Sequence, residues 1–128
     1  MAREIDIETL RTLITEREYR QLRLTISELE PFELASLIEE LSSEDASILF
    51  RLLPQSLASE VFHHIDIETQ TDLVETLNSN KALLAKLLDD MNPDDRTELF
   101  EELPGDFARK LLEILAPSER LVAIKLLA

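Results

Sequence analysis

The sequence predicts an all-α fold, an α-solenoid of short helices with a period of about twelve residues. Three observations predict it. Apolar residues recur at a fixed spacing, turn and helix-capping residues follow most recurrences, and no segment alternates apolar and polar residues as a strand would. Helices of about two turns are unstable alone in water, so each must bury its apolar stripe against its neighbours.

The apolar repeat locates the predicted helices one by one. We call its recurring residues the anchors; they are 12 apart except for one step of 14, and they are Leu29, Leu41, Leu53, Ile65, Leu77, Met91, Leu103, Leu115 and Leu127. Three and four residues before the later anchors lie mostly apolar pairs on the same helix face. These pairs are Leu37/Ile38, Leu49/Phe50, Val61/Phe62, Leu73/Val74, Leu87/Leu88, Leu99/Phe100, Leu111/Leu112 and Ala123/Ile124. The one longer step is expected to lengthen one helix or one loop.

Turn and capping residues separate the helices. They read EP from residue 30, SSED from 42, PQS from 54, DIET from 66, NSN from 78, NPDD from 92, PGD from 104 and APS from 116. Proline fits the first turn of a helix, and Ser, Asp and Asn side chains accept from the N–H groups there. In NPDD, Asn92 is the predicted N-cap and Pro93 the first helical residue. Residues 1–29 fit the register less well and are predicted to be N-terminal capping helices, with residues 30–128 forming the repeat of the same single domain.

Composition narrows the possible functions. The 128 residues, 45% of them hydrophobic, suffice for the core of one domain, and no segment resembles a membrane span or an export signal. The net charge of −14 argues against binding to nucleic acid or anionic membranes, and it favours basic partners, inorganic cations or simple solubility. Cysteine is absent, glycine occurs once, and serines such as Ser42, Ser43 and Ser118 lie at turns, so no enzyme is predicted.

The segment MNPDDRTELFEELP, residues 91–104, contains the candidate functional residues. On a helical projection Asp94, Glu98 and Glu101 share the solvent face, and Asp95 lies nearer the core. Capping and the helix dipole explain acidic residues in a first turn. Asp94 and Glu98, however, are like charges at i and i+4, and a Mg²⁺ or Ca²⁺ ion would relieve their repulsion. Two carboxylates are half a metal site at most, so a second surface would have to supply the rest.

His63 and His64 form a second candidate. They follow Glu60 by three and four residues, a spacing that could hold a transition metal on a helix surface. Adjacent side chains on a helix point about 100° apart, so only one histidine can pair well with Glu60. The sequence therefore favours solvated or partly packed histidines over a metal site.

Most of the chain resembles the cytosolic N-terminal domain of MgtE-type magnesium transporters and channels. The likeness begins near EPFELASLIEEL, continues through LLDDMNPDDRTELFEELP and reaches ERLVAIKLLA, with LP turns at 53–54 and 103–104. The resemblance implies a right-handed superhelix of short helices that precedes paired CBS domains and a dimeric transmembrane pore. It also implies that Mg²⁺ binds between acidic faces of the N-terminal and CBS domains and closes the pore.

The resemblance further implies which residues bind the ion. By motif position they are Glu60, Asp94 and Glu98, and Asp95 is a neighbouring candidate with a competing capping role. Glutamate stands at 98 where some relatives have aspartate, so water can lie between that carboxylate and the ion. The implied cofactor is therefore Mg²⁺ in weak sites shared with another domain.

The implied function is regulatory Mg²⁺ sensing on the cytoplasmic side of the cell membrane, as part of an inner-membrane transporter. The implied partners are divalent cations and the CBS and transmembrane domains of the same parent chain. That parent is expected to be a homodimer, and this domain alone a monomer. The alternative is a protein-interaction α-solenoid related to flagellar motor-switch proteins, whose groove would bind a helix or peptide and to which divalent ions would matter little.

Overall fold

A computed structural model describes residues 5–128, and every regular element in that span is helical. Its α-helices are α1 (Ile7–Thr15), α2 (Tyr19–Ile26), α3 (Pro31–Ile38), α4 (Ser43–Leu52), α5 (Gln55–His64), α6 (Ile67–Thr76), α7 (Lys81–Asp89), α8 (Pro93–Glu102), α9 (Gly105–Ile114) and α10 (Pro117–Leu127). The prediction of an all-α fold of short helices is confirmed.

The positions at which the helices begin confirm the predicted repeat. From α3 onward each helix begins twelve positions after the previous one, except that α7 begins fourteen positions after α6. The two additional residues belong to a 3₁₀ turn, Leu77–Ser79, in which the N–H of Asn80 donates to the carbonyl of Leu77 at 2.8 Å. The side chain of Asn80 then accepts from the N–H of Leu83 and caps α7. The long step therefore lengthens a loop and leaves the helices short.

The contacts divide the chain into two compact units, one ending at Asp66 and the other beginning at Ile67. In the first unit α3 packs against α5, and α1 packs against α2 and α4. The rings of Phe50 and Phe62 meet edge to face at its centre, with centroids 6.1 Å apart. Other side chains of this core are those of Leu10, Ile14, Leu22, Ile26, Leu34, Ile38, Leu49, Ala58 and Val61, all buried.

In the second unit α6 packs against α8, α8 against α10, and α7 against α9. The helices α6, α7 and α8 thus each contact the helix two places further along, as helices of an α-solenoid do. The apolar core of this unit is formed by Leu73, Val74, Leu77, Leu84, Leu87, Leu88, Leu99, Phe100, Leu103, Leu111, Leu115 and Ala123. The right-handed superhelix implied by the family resemblance stays a prediction.

The predicted core is largely confirmed, with informative exceptions. The anchors Leu41, Met91 and Leu127 are half-buried, whereas the other anchors are buried. Ile124, predicted to be buried beside Ala123, is 48% exposed, whereas Ala123 is 3% exposed. The reason is that α10 is the last described helix, and only its sides that face α8 and α9 are covered.

The helices α3 to α6 and α7 to α10 begin at positions that repeat with one offset, and we call these two sets of helices the two copies. Each helix of the second set begins fifty positions after its counterpart, as Ser43 and Pro93 illustrate. A hydrogen bond repeats with the same offset. Glu39 accepts from the N–H of Asp66 at 2.9 Å, and Asp89 accepts from the N–H of Ala116 at 3.0 Å. In both copies a carboxylate at the end of the first helix thus binds the backbone just before the fourth helix begins.

A Schellman motif ends α1. Among residues 5–128 only Arg17 has a positive φ, of 59°. The N–H of Arg17 donates to Ile14, and the N–H of Glu18 donates to Leu13, which satisfies carbonyls at the end of the helix. Residues 1–4 of the predicted capping segment lie outside the described residues. That residues 1–29 cap the repeat, and that they form one domain with residues 30–128, stay predictions.

Candidate metal centre

The first turn of α8 is built as the NPDD motif predicts. The Asn92 side chain accepts from the N–H of Asp94 at 2.8 Å, and Pro93 is the first helical residue. The Thr97 hydroxyl donates to the carbonyl of Pro93 at 2.8 Å, which ties the first turn to the second. A well-capped turn of this kind holds the backbone of the two aspartates that follow Pro93 in one conformation.

The acidic side chains of α8 face solvent. Asp94, Glu98 and Glu101 are exposed as predicted, and Asp95, expected nearer the core, is exposed as well. Within the part of the chain that the structure describes, neither Asp94 nor Glu98 forms a salt bridge. The like charges at i and i+4 are therefore not neutralised by a nearby base, and they raise the free energy of the helix.

Beneath the acidic row lies a buried arginine that the sequence analysis missed. Arg96 is 1% exposed, and it donates to Glu119 Oε1 at 2.9 Å and to the Glu119 carbonyl at 3.3 Å. It also donates to the carbonyl of Leu88 at 3.2 Å, whereas its Nε–H has no hydrogen-bond partner within the described span. Arg96 thus connects α8 with the last turn of α7 and the first turn of α10.

The repeat itself contained the signal for Arg96. It lies seven residues before the anchor Leu103, and residues seven apart lie on the same face of a helix as the apolar pair between them. Arg120 lies at the same place in α10, where its Nε donates to the carbonyl of Leu112 at 3.0 Å. Both arginines therefore donate to a carbonyl eight residues earlier, and at this position an arginine caps the end of the preceding helix. Ala46, the counterpart of Arg96 in the first copy, is buried and makes no such contact.

The remaining candidates lie on α5, in the first unit. Glu60 is exposed, and so are His63 and His64, whose ring centroids are 5.6 Å apart. Asp94, Asp95 and Glu98 lie together on α8, in the second unit. In residues 5–128 no group of three or more His, Cys, Asp or Glu side chains is placed to hold a metal ion.

The carboxylates on α8 can supply some of the ligands of a cation that prefers oxygen. Mg²⁺ takes carboxylate oxygens, retains several waters and is commonly held by one or two protein carboxylates. Asp94 and Glu98 can supply such ligands from an exposed helix face without breaking a salt bridge seen in the described chain. The residues therefore fit part of a Mg²⁺ site, to which another surface adds the rest.

The fold and this surface define an acidic domain of repeated short helices with candidate ligands on one exposed helix face. A family model described as the MgtE intracellular N domain matches residues 29–128. The match covers most of the chain, so this protein belongs to that family, which comprises the regulatory N-terminal domains of MgtE magnesium transporters. A comparison with curated proteins gives no match. None of the helices between residues 5 and 128 combines the length and the apolar character of a membrane span.

Proposed function

We propose that this chain is a Mg²⁺-sensing regulatory domain that controls a magnesium-conducting pore. Membership of the family supports a role in a magnesium transporter. Binding of Mg²⁺ is supported by the exposed carboxylates of Asp94 and Glu98, which have no basic partner in the described chain. Asp94 and Glu98 are the proposed ligands on α8, and Asp95 beside them is a further candidate. Glu60 is the proposed ligand on α5.

The carboxylates act through repulsion. When the acidic face of α8 approaches an acidic face of the partner CBS domains, each pair of like charges about 4 Å apart costs about 1–4 kcal/mol, depending on the local dielectric. Bound Mg²⁺ supplies the positive charge that offsets this cost. An ion held by Asp94 and Glu98 then stabilises the docked arrangement. The stabilisation equals the extent to which the ion binds the docked state more tightly than the undocked state.

The buried Arg96 attaches the acidic face of α8 to its neighbouring helices. Arg96 connects α8 to α7 and α10 through side-chain hydrogen bonds, so the acidic face moves together with its neighbouring helices. A face held in this way can transmit the docking of the domain to the rest of the parent transporter. In this proposal the parent is a homodimer in the inner membrane, with its CBS domains on the cytoplasmic side, and the isolated domain is a monomer.

A Mg²⁺ titration followed by NMR tests the proposal. Backbone amide shifts should concentrate at Asp94, Glu98 and Glu60, with millimolar affinity, because the isolated domain holds only part of each site. The double variant Asp94→Asn/Glu98→Gln should lose the response on α8. The control Glu75→Gln removes one exposed acidic charge from α6 and should retain it. Shifts spread evenly over all acidic residues, or an unchanged response in the double variant, would contradict the site.

A further inference from the structure

A groove in the second unit differs in charge from the rest of this acidic chain. It lies where α7 packs against α9 and has a volume of about 340 Å³. The residues that line it are Asn78, Lys81, Lys110, Leu111, Glu113 and Ile114. Leu111 is buried and Ile114 half-buried, whereas the polar side chains are exposed. The groove thus has an apolar floor and a polar rim on which two lysines outnumber one glutamate.

The ammonium groups on this rim are available to a ligand. Among the salt bridges of the described residues, none involves Lys81 or Lys110, although Glu113 follows Lys110 by three residues on the same helix. Lys86, by contrast, pairs with Asp90 at 3.3 Å on the exposed face of α7. A carboxylate that enters the groove would therefore gain two partners without displacing an existing salt bridge of either lysine.

The positive charge of this rim is absent at the corresponding sequence positions of the first copy. The polar rim residues of the groove correspond, fifty positions earlier, to Glu28, Pro31, Glu60 and His63. That first set holds two acids and no lysine. Lys110 takes the place that Glu60, a proposed cation ligand, takes in the first copy. The corresponding positions thus carry net negative charge in the first copy and net positive charge in the second. The groove of the second copy therefore suits an anionic ligand.

We propose that the groove between α7 and α9 binds an acidic side chain of a partner protein directly, without a bridging cation. Leu111 and Ile114 accept an apolar residue next to that acid, and Lys81 and Lys110 pair with its carboxylate. The net charge of −14 does not prevent this, because at physiological ionic strength charges beyond about 8 Å are largely screened. The two nearby lysines therefore determine that the ligand carries negative charge.

The apolar residues of the groove favour an acidic side chain of a peptide over a free phosphate group. Leu111 and Ile114 offer a contact to an apolar residue beside the acid, and inorganic phosphate cannot use that contact. The volume is also near the lower limit for small-molecule sites, which are commonly about 300–1,000 Å³. It accommodates one or two side chains of a peptide. The occupant that fits is a peptide segment with an acid and an apolar residue side by side.

NMR titrations of the chain with two short peptides test this proposal. The probe is acetyl-Leu-Glu-Glu-Leu-amide, and the matched peptide has glutamine in place of both glutamates. Amide shifts at Lys81, Lys110 and Leu111 are expected with the acidic peptide and not with its glutamine counterpart. They should be the same with EDTA or with Mg²⁺, which separates this site from the proposed Mg²⁺ response of α8.

Two variants complete the experiment. Lys81→Gln/Lys110→Gln should weaken peptide binding at least about fivefold, because two exposed ion pairs are lost. The control Lys125→Gln, which removes an exposed lysine on α10, should leave binding unchanged. Equal binding by the double variant would overturn the proposal. It would also be overturned if inorganic phosphate, but not the acidic peptide, shifted the groove residues.

Discussion

The buried guanidinium of Arg96 on α8 donates a 2.9 Å hydrogen bond to Oε1 of Glu119 on α10. The two partners differ in environment, since the Arg96 side chain is 1% exposed and that of Glu119 is 34% exposed. The arginine has lost its hydration, and the Glu119 carboxylate is its salt-bridge partner within the described residues. Glu119, at the edge of the unit, retains contact with water. The two residues should therefore respond unequally to substitution.

Glu119→Ala should destabilise the second unit by about 3 kcal/mol, because it removes the salt-bridge partner of a buried cation. Arg96→Met should cost less, about 1–2 kcal/mol, since methionine fills the apolar space and the freed carboxylate is partly hydrated. Urea unfolding followed by circular dichroism measures both free energies. The double variant Arg96→Met/Glu119→Leu should recover part of the loss. A larger cost for Arg96→Met than for Glu119→Ala would contradict this account of the pair.

Asp89→Ala should cost about 1 kcal/mol, because the half-buried N–H of Ala116 loses the carboxylate that accepts from it before α10. The matched variant in the first copy, Glu39→Ala, should cost less, since water can reach the exposed Asp66. Amide hydrogen exchange measures the effect directly. Protection of Ala116 should fall in the first variant, and protection that does not change would rule out the capping role of Asp89.

Arg17→Gly should stabilise the chain by about 0.5–1 kcal/mol. Arg17 has a left-handed backbone conformation that costs a residue with a Cβ atom about 1–2 kcal/mol, whereas glycine adopts it readily. The control Arg23→Gly places glycine within α2, where it should destabilise by up to about 1 kcal/mol. Thermal and urea unfolding measure both. If the two glycine variants changed stability in the same direction, the strain assigned to Arg17 would be wrong.

Glu98→Gln should stabilise α8 by about 0.2–0.5 kcal/mol in the absence of divalent ions, because it removes the repulsion with Asp94. Glu113→Gln, which removes an acid next to bases on α9, should give no such gain. In millimolar Mg²⁺ the advantage of Glu98→Gln should shrink, since only the unsubstituted row gains from the ion. Unfolding curves with EDTA and with Mg²⁺ measure the difference. An advantage that is independent of Mg²⁺ would count against Glu98 as a ligand.

The sequence could predict those parts of the fold that depend on local chemistry. The start of α8 follows from Asn92 and Pro93, because capping and proline geometry involve only neighbouring residues. The burial of Arg96 could not be predicted with the same ease. Arginine is usually exposed, and its partner Glu119 is 23 residues away in sequence and adjacent only after α10 packs on α8. The exposed face of α8 was predictable from helical periodicity, whereas the groove beside Lys81 and Lys110 depends on the packing of α7 on α9.

The 3₁₀ turn Leu77–Ser79 has a consequence for how chains of this kind can change in length. Its two additional residues lie outside every α-helix, so the next helix still begins with its apolar stripe aligned. One residue inserted within α8 would instead rotate the remainder of that helix by about 100° and turn core residues toward water. Insertions and deletions should therefore be tolerated at the junctions between helices and selected against inside them.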